Sequence, residues 1–349
     1  MKRRNFLAAL PLAAATAFAQ KRTTPQPAMH HSRHLKFRAD GRFKILAISD
    51  LHFGPEVDPY AVTLIGEMIA QETPDLVIAN GDNIMGGDSK TTAAVEDSVQ
   101  QVASAMVKAG VPWAVTLGNH DREHIDHTGL QDEAFFALFE KQPYNLNSGW
   151  ARGTSGIGNT NLLIWNADGT KPVNNIWLLD SGRGAKDKIL RYEWMHQDQI
   201  EWYRKSSLAL ENRYGKLSSL MFFHIPVREF LDVAAAKTFI GARGEDEAPS
   251  GINSGLFAAA LERGDVMGMF CGHDHKNNYI GTQRNMALGF IGVTGVLNAY
   301  PHIAENNLAN ARLRGGRVFE LDANRPGTFK TWIRLRDGSV NWQWDNITT

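Results

Sequence analysis

The chain has 349 residues, 43% hydrophobic and 21% charged, with 37 basic side chains against 37 acidic ones. That balance excludes a disordered polyelectrolyte, and the length suits one large α/β domain or two ordinary ones. The only cysteine, Cys271, excludes an internal disulfide.

The first twenty residues differ in composition from the rest. Lys2, Arg3 and Arg4 form a basic start, a short apolar stretch follows, and Ala17-Phe18-Ala19 offers a small-x-small cleavage site before Gln20. Residues 1–19 read as a secretory signal peptide, too short for a lasting membrane span. An N-terminal anchor helix is the competing reading. Arg3-Arg4 followed by Asn5-Phe6-Leu7 resembles a twin-arginine export signal, with an ordinary Sec signal as the alternative. Export predicts a periplasmic or secreted protein, with the twin-arginine machinery as its transport partner. Cleavage takes three of the 37 basic residues and no acidic one, leaving 34 against 37, a formal net of −3. No basic footprint for a nucleic acid remains. Without disulfides, an exported chain depends on its core or on bound metal.

Residues 20–41 are polar and contain proline, and they read as a linker. His30, His31 and His34 fall here, either as a solvated arm or as a metal-binding tract. Residues 42–349 read as one domain without internal repeats. "FKILAISD" is a continuous apolar run of strand length ending at Asp50. "DLVIAN" before Gly81-Asp82 and "PWAVTL" before Gly118-Asn119 repeat the design, with helices expected near 60–71 and 91–109 between them. Strands apolar on both faces, alternating with helices, imply βαβ units. Further strands are expected in "NLLIWNA" and "NIWLLD". A helix follows near "HQDQIEWYRKSSLAL", whose Ile200, Trp202, Tyr203, Leu208 and Leu210 read as core. "LSSLMFF" then leads to His224, and "DVMGMFC" leads to Gly272-His273. After residue 280 the chain is β-rich.

Every one of the five strands above that ends in a motif carries His, Asp or Asn in its polar tail, and α/β folds bind ligands at the carboxyl ends of strands. The fragments are Asp50-x-His52, Gly81-Asp82, Gly118-Asn119-His120-Asp121, His224, and Gly272-His273-x-His275. Each is weak alone. Carboxylate, imidazole and amide oxygen together suit Fe, Mn or Zn without a thiolate, and Cys271 reads as a small buried residue.

In this order the fragments resemble the calcineurin-like metallophosphoesterase family, D-x-H … G-D … G-N-H-[DE] … H … G-H-x-H. The resemblance implies a four-layer α/β/β/α sandwich of two mixed sheets flanked by helices. It implies two metal ions, one held by Asp50, His52 and His275, the other by Asn119, His224 and His273, with Asp82 bridging. It implies hydrolysis of a phosphate monoester or diester by in-line attack of a metal-bridging hydroxide, with His120 assisting the leaving group or binding phosphate. An ordering role for His120 is the alternative. Asp121, Arg122, Glu123, His124 and His127 stay open, Arg122 between a phosphate contact and a solvated loop charge.

Met85 stands where purple acid phosphatases carry the iron-binding tyrosine and protein Ser/Thr phosphatases an aspartate paired to the catalytic histidine. The chain therefore resembles a tyrosine-lacking purple-acid-phosphatase-like branch, and His120 is expected to lack that aspartate. Members of the branch carry a Tyr-Gly-Arg element after the last motif. Here "KNNY" and "GFIGVTG" follow without the arginine. A non-catalytic binder of phosphorylated ligands, or a hydrolase of a related bond such as pyrophosphate, are the rival functions.

Overall fold

The computed structural model describes residues 35–295 and 314–348. The expected leader at 1–19 and His30, His31 and His34 lie outside the described residues. The first part of the chain alternates β1 (Arg42–Ile48), α1 (Pro59–Glu72), β2 (Leu76–Asn80), α2 (Thr92–Ala109) and β3 (Trp113–Thr116). Two short helices, α3 (Ile125–Thr128) and α4 (Asp132–Glu140), lead to β4 (Thr160–Trp165) and β5 (Pro172–Leu178). Then come α5 (Gln197–Tyr214), β6 (Ser218–Phe222), α6 (Glu229–Ala236), α7 (Leu256–Arg263) and β7 (Val266–Cys271). The chain closes with β8 (Ile280–Gln283), β9 (Met286–Phe290), β10 (Gly315–Asp322), β11 (Thr328–Leu335) and β12 (Val340–Thr348).

Local chemistry sets the first two helices. Asp58 caps α1 by accepting from the backbone N–H of Tyr60 and Ala61 at 3.0 and 2.9 Å, ahead of Pro59 in the first turn. Thr91 caps α2, which ends at Gly110 in the left-handed conformation. Leu64, Ile65 and Met68 of α1 and Val95, Val99, Val102 and Met106 of α2 recur at helical spacing and pack on one sheet.

The strands form two mixed sheets of six. One has the order β12-β11-β10-β1-β2-β3, the other β4-β5-β6-β7-β9-β8. β1, β2 and β3 run parallel, as do β5, β6, β7 and β9. Alternation along β1 divides its side chains. Phe43, Ile45 and Ala47 enter the core between the sheets, and Leu46 and Ile48 face α1 and α2. The inter-sheet core adds Ile78, Leu178, Leu220, Phe222, Phe270 and Phe319. Each such fully buried side chain contributes about 1.5–3 kcal/mol. The outer face of the second sheet is covered by α5, α6 and α7 through Tyr203, Leu210, Phe230, Val233 and Phe257. The result is the expected four-layer α/β/β/α sandwich.

Three expectations change in detail. Leu35 and Phe37, assigned to the linker, are buried in the inter-sheet core, and the Phe37 N–H donates to Trp165 O at 2.8 Å. Leu208, expected in the core, is 48% exposed on α5, while Trp202 is only partly buried. The helices α3, α4, α6 and α7 were not expected; each is nine residues or shorter. Among the described residues no helix is long and apolar enough to cross a membrane.

Candidate metal centre

β1, β2, β3, β6 and β7 end at one rim of the sandwich, and the five motif loops meet there. Backbone hydrogen bonds fix their mutual positions. Asp50 N–H donates to Gly81 O at 3.1 Å, His52 N–H to Asp82 O at 2.9 Å, and Gly272 N–H to His224 O at 3.1 Å. Across the two sheets, Asn80 Nδ2 donates to Phe223 O at 2.7 Å. Asp50, His52, Asp82 and His273 all adopt positive φ, at 55°, 49°, 48° and 77°. Non-glycine residues rarely stay there unless their surroundings enforce it, and such strain collects at functional sites. Two motif glycines answer a need for space. A Cβ on Gly118 would lie 2.3 Å from Asp82 Oδ1, and one on Gly272 would lie 2.6 Å from Asp50 Oδ2.

Two donor groups result. Asp50, His52, Asp82 and His275 form one, and Asp82, His224 and His273 the other, each with its ligand atoms within 4.8 Å of one another. Asp82 belongs to both. In the first group His52 Nε2 faces His275 Nε2 at 3.1 Å, and His275 Nε2 is 3.2 Å from Asp50 Oδ1. In the second, His224 Nε2 lies 3.1 Å from Asp82 Oδ2 yet makes no hydrogen bond. His224 Nδ1 is 3.0 Å from Asn80 O. A carbonyl only accepts, so Nδ1 carries the proton and Nε2 is the donor atom aimed into the centre. Asn119 Oδ1 is also buried and accepts no hydrogen bond. An amide oxygen left so is costly without a partner, and a cation satisfies it.

The charges point the same way. Burial pushes the His52 imidazole down to about 3, helped by His275, and burial with His224 does the same to His273. Both rings are neutral, as metal ligands must be. Burial alone would raise Asp50, but His275 and His224 hold it at about 2. Burial opposes ionisation of Asp82 as well, and His224 outweighs it, holding the carboxyl well below its usual range. Burial likewise opposes a charged His224, but Asp82 and Asp50 raise it to about 10. Two buried carboxylates thus draw a proton onto the nearest imidazole, the place a cation would fill. Residues, orphaned donors and charge all fit a pair of cations.

The surrounding residues settle several open points. His120 is half-buried beside the centre, its ring centroid 5.2 Å from that of His52, and its backbone N–H donates to Asp82 Oδ1 at 2.8 Å. It does not lack a carboxylate partner, because Glu123 Oε1 lies 2.8 Å from His120 Nδ1. Met85 does not pair with His120; its N–H donates to Phe53 O. Asp121 is buried and ties two motif loops together, accepting from Ile84 N–H at 2.9 Å, Gly118 N–H at 2.7 Å and Asn83 Nδ2 at 3.1 Å. Arg122 is neither a solvated charge nor free for phosphate. It is buried and ion-paired to Asp180, with Asp132 at 3.6 Å. His124 is buried against Phe135, and exposed His127 lies 2.9 Å from Lys90 Nζ. Cys271 is fully buried, as expected, and its thiol is pushed well up by burial. Tyr192, not singled out from sequence, packs edge-on against His273 with ring centroids 4.4 Å apart and walls that side of the centre.

Comparison with known proteins agrees with this geometry. The calcineurin-like phosphoesterase family matches residues 43–277. The chain is 32% identical to "Probable inactive purple acid phosphatase 14" of Arabidopsis thaliana over 346 residues, covering 87% of this chain and 83% of that protein. It is 30% identical to "Probable inactive purple acid phosphatase 29" of the same plant, covering 90% and 87%. The fold is shared with a dimetal phosphatase from Danio rerio, at a TM-score of 0.56 and 16% identity over 88% of this chain and 98% of that one. It is shared also with GAP50, titled the anchor in the inner membrane complex of Plasmodium, at 0.52 and 12% identity over 88% and 89%. A family match over more than half its length, with a relative above 30% identity, means that the chain belongs to the calcineurin-like phosphoesterase family.

Proposed function

We propose that the chain is an exported phosphoesterase that uses two metal ions to hydrolyse phosphate monoesters, with diesters as the near alternative. Asp50, His52 and His275 would hold one ion and Asn119, His224 and His273 the other, with Asp82 available to both. Fe, Mn or Zn suits this donor set. Two such ions supply Lewis acidity toward the phosphoryl oxygens and an activated water for in-line displacement. The observation that carries the reading is that Asp82 is common to both donor groups.

The chain's own residues perform the rest. The hydrogen-bonded loops hold the donors in place before substrate arrives, which lowers the reorganisation the reaction requires. His224 is oriented by Asn80 O, which keeps Nε2 directed inward. His120, fixed beside Asp82 by its backbone N–H and with its ring 5.2 Å from that of His52, is the group to assist the leaving group or to bind phosphate. A proton given to the leaving oxygen there is worth about 10²–10⁴-fold.

Hydrolysis of 4-nitrophenyl phosphate and its bis ester, with Mn, Fe or Zn added and bound metal counted, tests the reading. Activity that disappears in Asp82→Ala supports it. Full metal occupancy without turnover of any phosphoester favours a binder of phosphorylated ligands, a reading that the word "inactive" in the names of two relatives makes worth testing. Turnover of pyrophosphate alone favours hydrolysis of that related bond. Export is tested by replacing Arg3 and Arg4 with lysine. Loss of export supports the twin-arginine route, and undiminished export argues for Sec.

A further inference from the structure

We propose that Glu123 is the positioning residue for His120, and that the turn at Gly86–Gly87 is shaped to admit it. The inference rests on the phosphoesterase reading and adds a residue that the family motifs do not contain. His120 Nδ1 lies 2.8 Å from Glu123 Oε1. An ionised carboxylate only accepts, so the Nδ1 proton sits in this bond and Nε2 is left on the opposite edge of the ring. A single carbonyl fixes the backbone on both sides. His120 O accepts from Gly86 N–H at 3.1 Å and from Glu123 N–H at 3.2 Å. The Glu123 carboxylate then lies over Gly87, where a Cβ would come within 2.9 Å of Glu123 Oε2. Among the described residues His120 is the only charged partner of Glu123.

The side chains of the pair are 35% and 42% exposed, so it adds little to stability, of the order of 1 kcal/mol or less. Its consequence is for orientation. An imidazole on a single Cα–Cβ axis can turn about two torsions, and a second anchor at Nδ1 stops both. Held so, Nε2 faces the leaving oxygen of a phosphoester at the centre. The carboxylate that Met85 cannot supply comes instead from His120's own loop, three residues on.

Glu123→Ala and Glu123→Gln in the full, metal-loaded chain test the proposal with two esters and one spectrum. Glycerol phosphate has a poor leaving group that needs His120, and 4-nitrophenyl phosphate has a good one that does not. Glu123→Ala is expected to lower kcat for glycerol phosphate by roughly tenfold or more, with KM unchanged and 4-nitrophenyl phosphate affected far less. Glu123→Gln keeps an acceptor at Nδ1 and restores most of the loss. In ¹⁵N spectra of the zinc form, the His120 Nδ1–H signal should persist in wild type and Glu123→Gln and vanish in Glu123→Ala. Equal losses on both esters, no rescue by glutamine, or an unchanged Nδ1–H signal in Glu123→Ala would overturn the proposal. If the wild type turns over neither ester, the phosphoesterase reading fails instead, and the Nδ1–H signal alone decides the positioning.

Discussion

The two halves of the metal centre solve one electrostatic problem differently. Around Asp50, two imidazoles face each other through Nε2 at 3.1 Å, and burial drives His52 down to about 3. Around Asp82, His224 is pinned by Asn80 O and raised against burial to about 10 by the carboxylates. The first half sets the neutral ring of His52 beside an anion. The second neutralises its anion with a proton. A cation would serve both, and beside His224 it must displace that proton, so binding there should strengthen as pH rises toward about 10.

The largest effect should come from removing what they share. Asp82→Ala is expected to abolish binding of the metal pair and to lower kcat by at least about 10³-fold, read from metal content and ester hydrolysis together. Breaking one half alone should do less. His52→Ala and His224→Ala are each expected to leave roughly one ion per chain and to reduce kcat by about 10²-fold or more. Equal and complete metal loss in both variants would mean that the halves do not fill separately. A smaller effect is expected on the scaffold common to both. Asp121→Ala leaves buried donors at Ile84, Gly118 and Asn83 without their acceptor and should cost about 2–3 kcal/mol in denaturant unfolding.

The smallest effect sharpens the comparison most. The His224 pKa in the metal-free fold is raised above its ordinary 6.5. Stability from this proton is therefore fully present below 6.5 and is lost as pH rises through about 10. The metal-free protein should show a falling Tm between pH 8 and 10, and the metal-loaded protein should lack that component. Metal uptake at pH 7 should release one proton from His224, measurable by calorimetry in buffers of different ionisation enthalpy.

What could be read from the sequence follows from which forces are local. β1, β2, β3, β6 and β7 were legible because strands buried on both faces are continuous apolar runs. Asp50, His52, Asp82, His273 and His275 were legible because each stands at a strand end beside a motif glycine or within two residues of another donor, whereas His224 is marked only by the apolar strand before it. Gly118 and Gly272 keep their places because a Cβ would strike Asp82 or Asp50. The Arg122–Asp180 ion pair was not legible, since it joins residues 58 apart through tertiary packing. Glu123 stayed open because its contact with His120 depends on how tightly the loop turns after His120, which no periodicity encodes. Tyr192 lies in a segment without regular structure and meets His273 only in the fold. α3, α4, α6 and α7 are too short for hydrophobic period to stand out.

Anomalous diffraction from crystals of the protein loaded with Mn or Zn tests the central claim most directly. Two peaks about 3.5–4 Å apart, with Asp82 touching both and Asn119 Oδ1 and His224 Nε2 on the same ion, are the expected result. A single peak, or two ions with Asp82 contacting neither or only one, would contradict it.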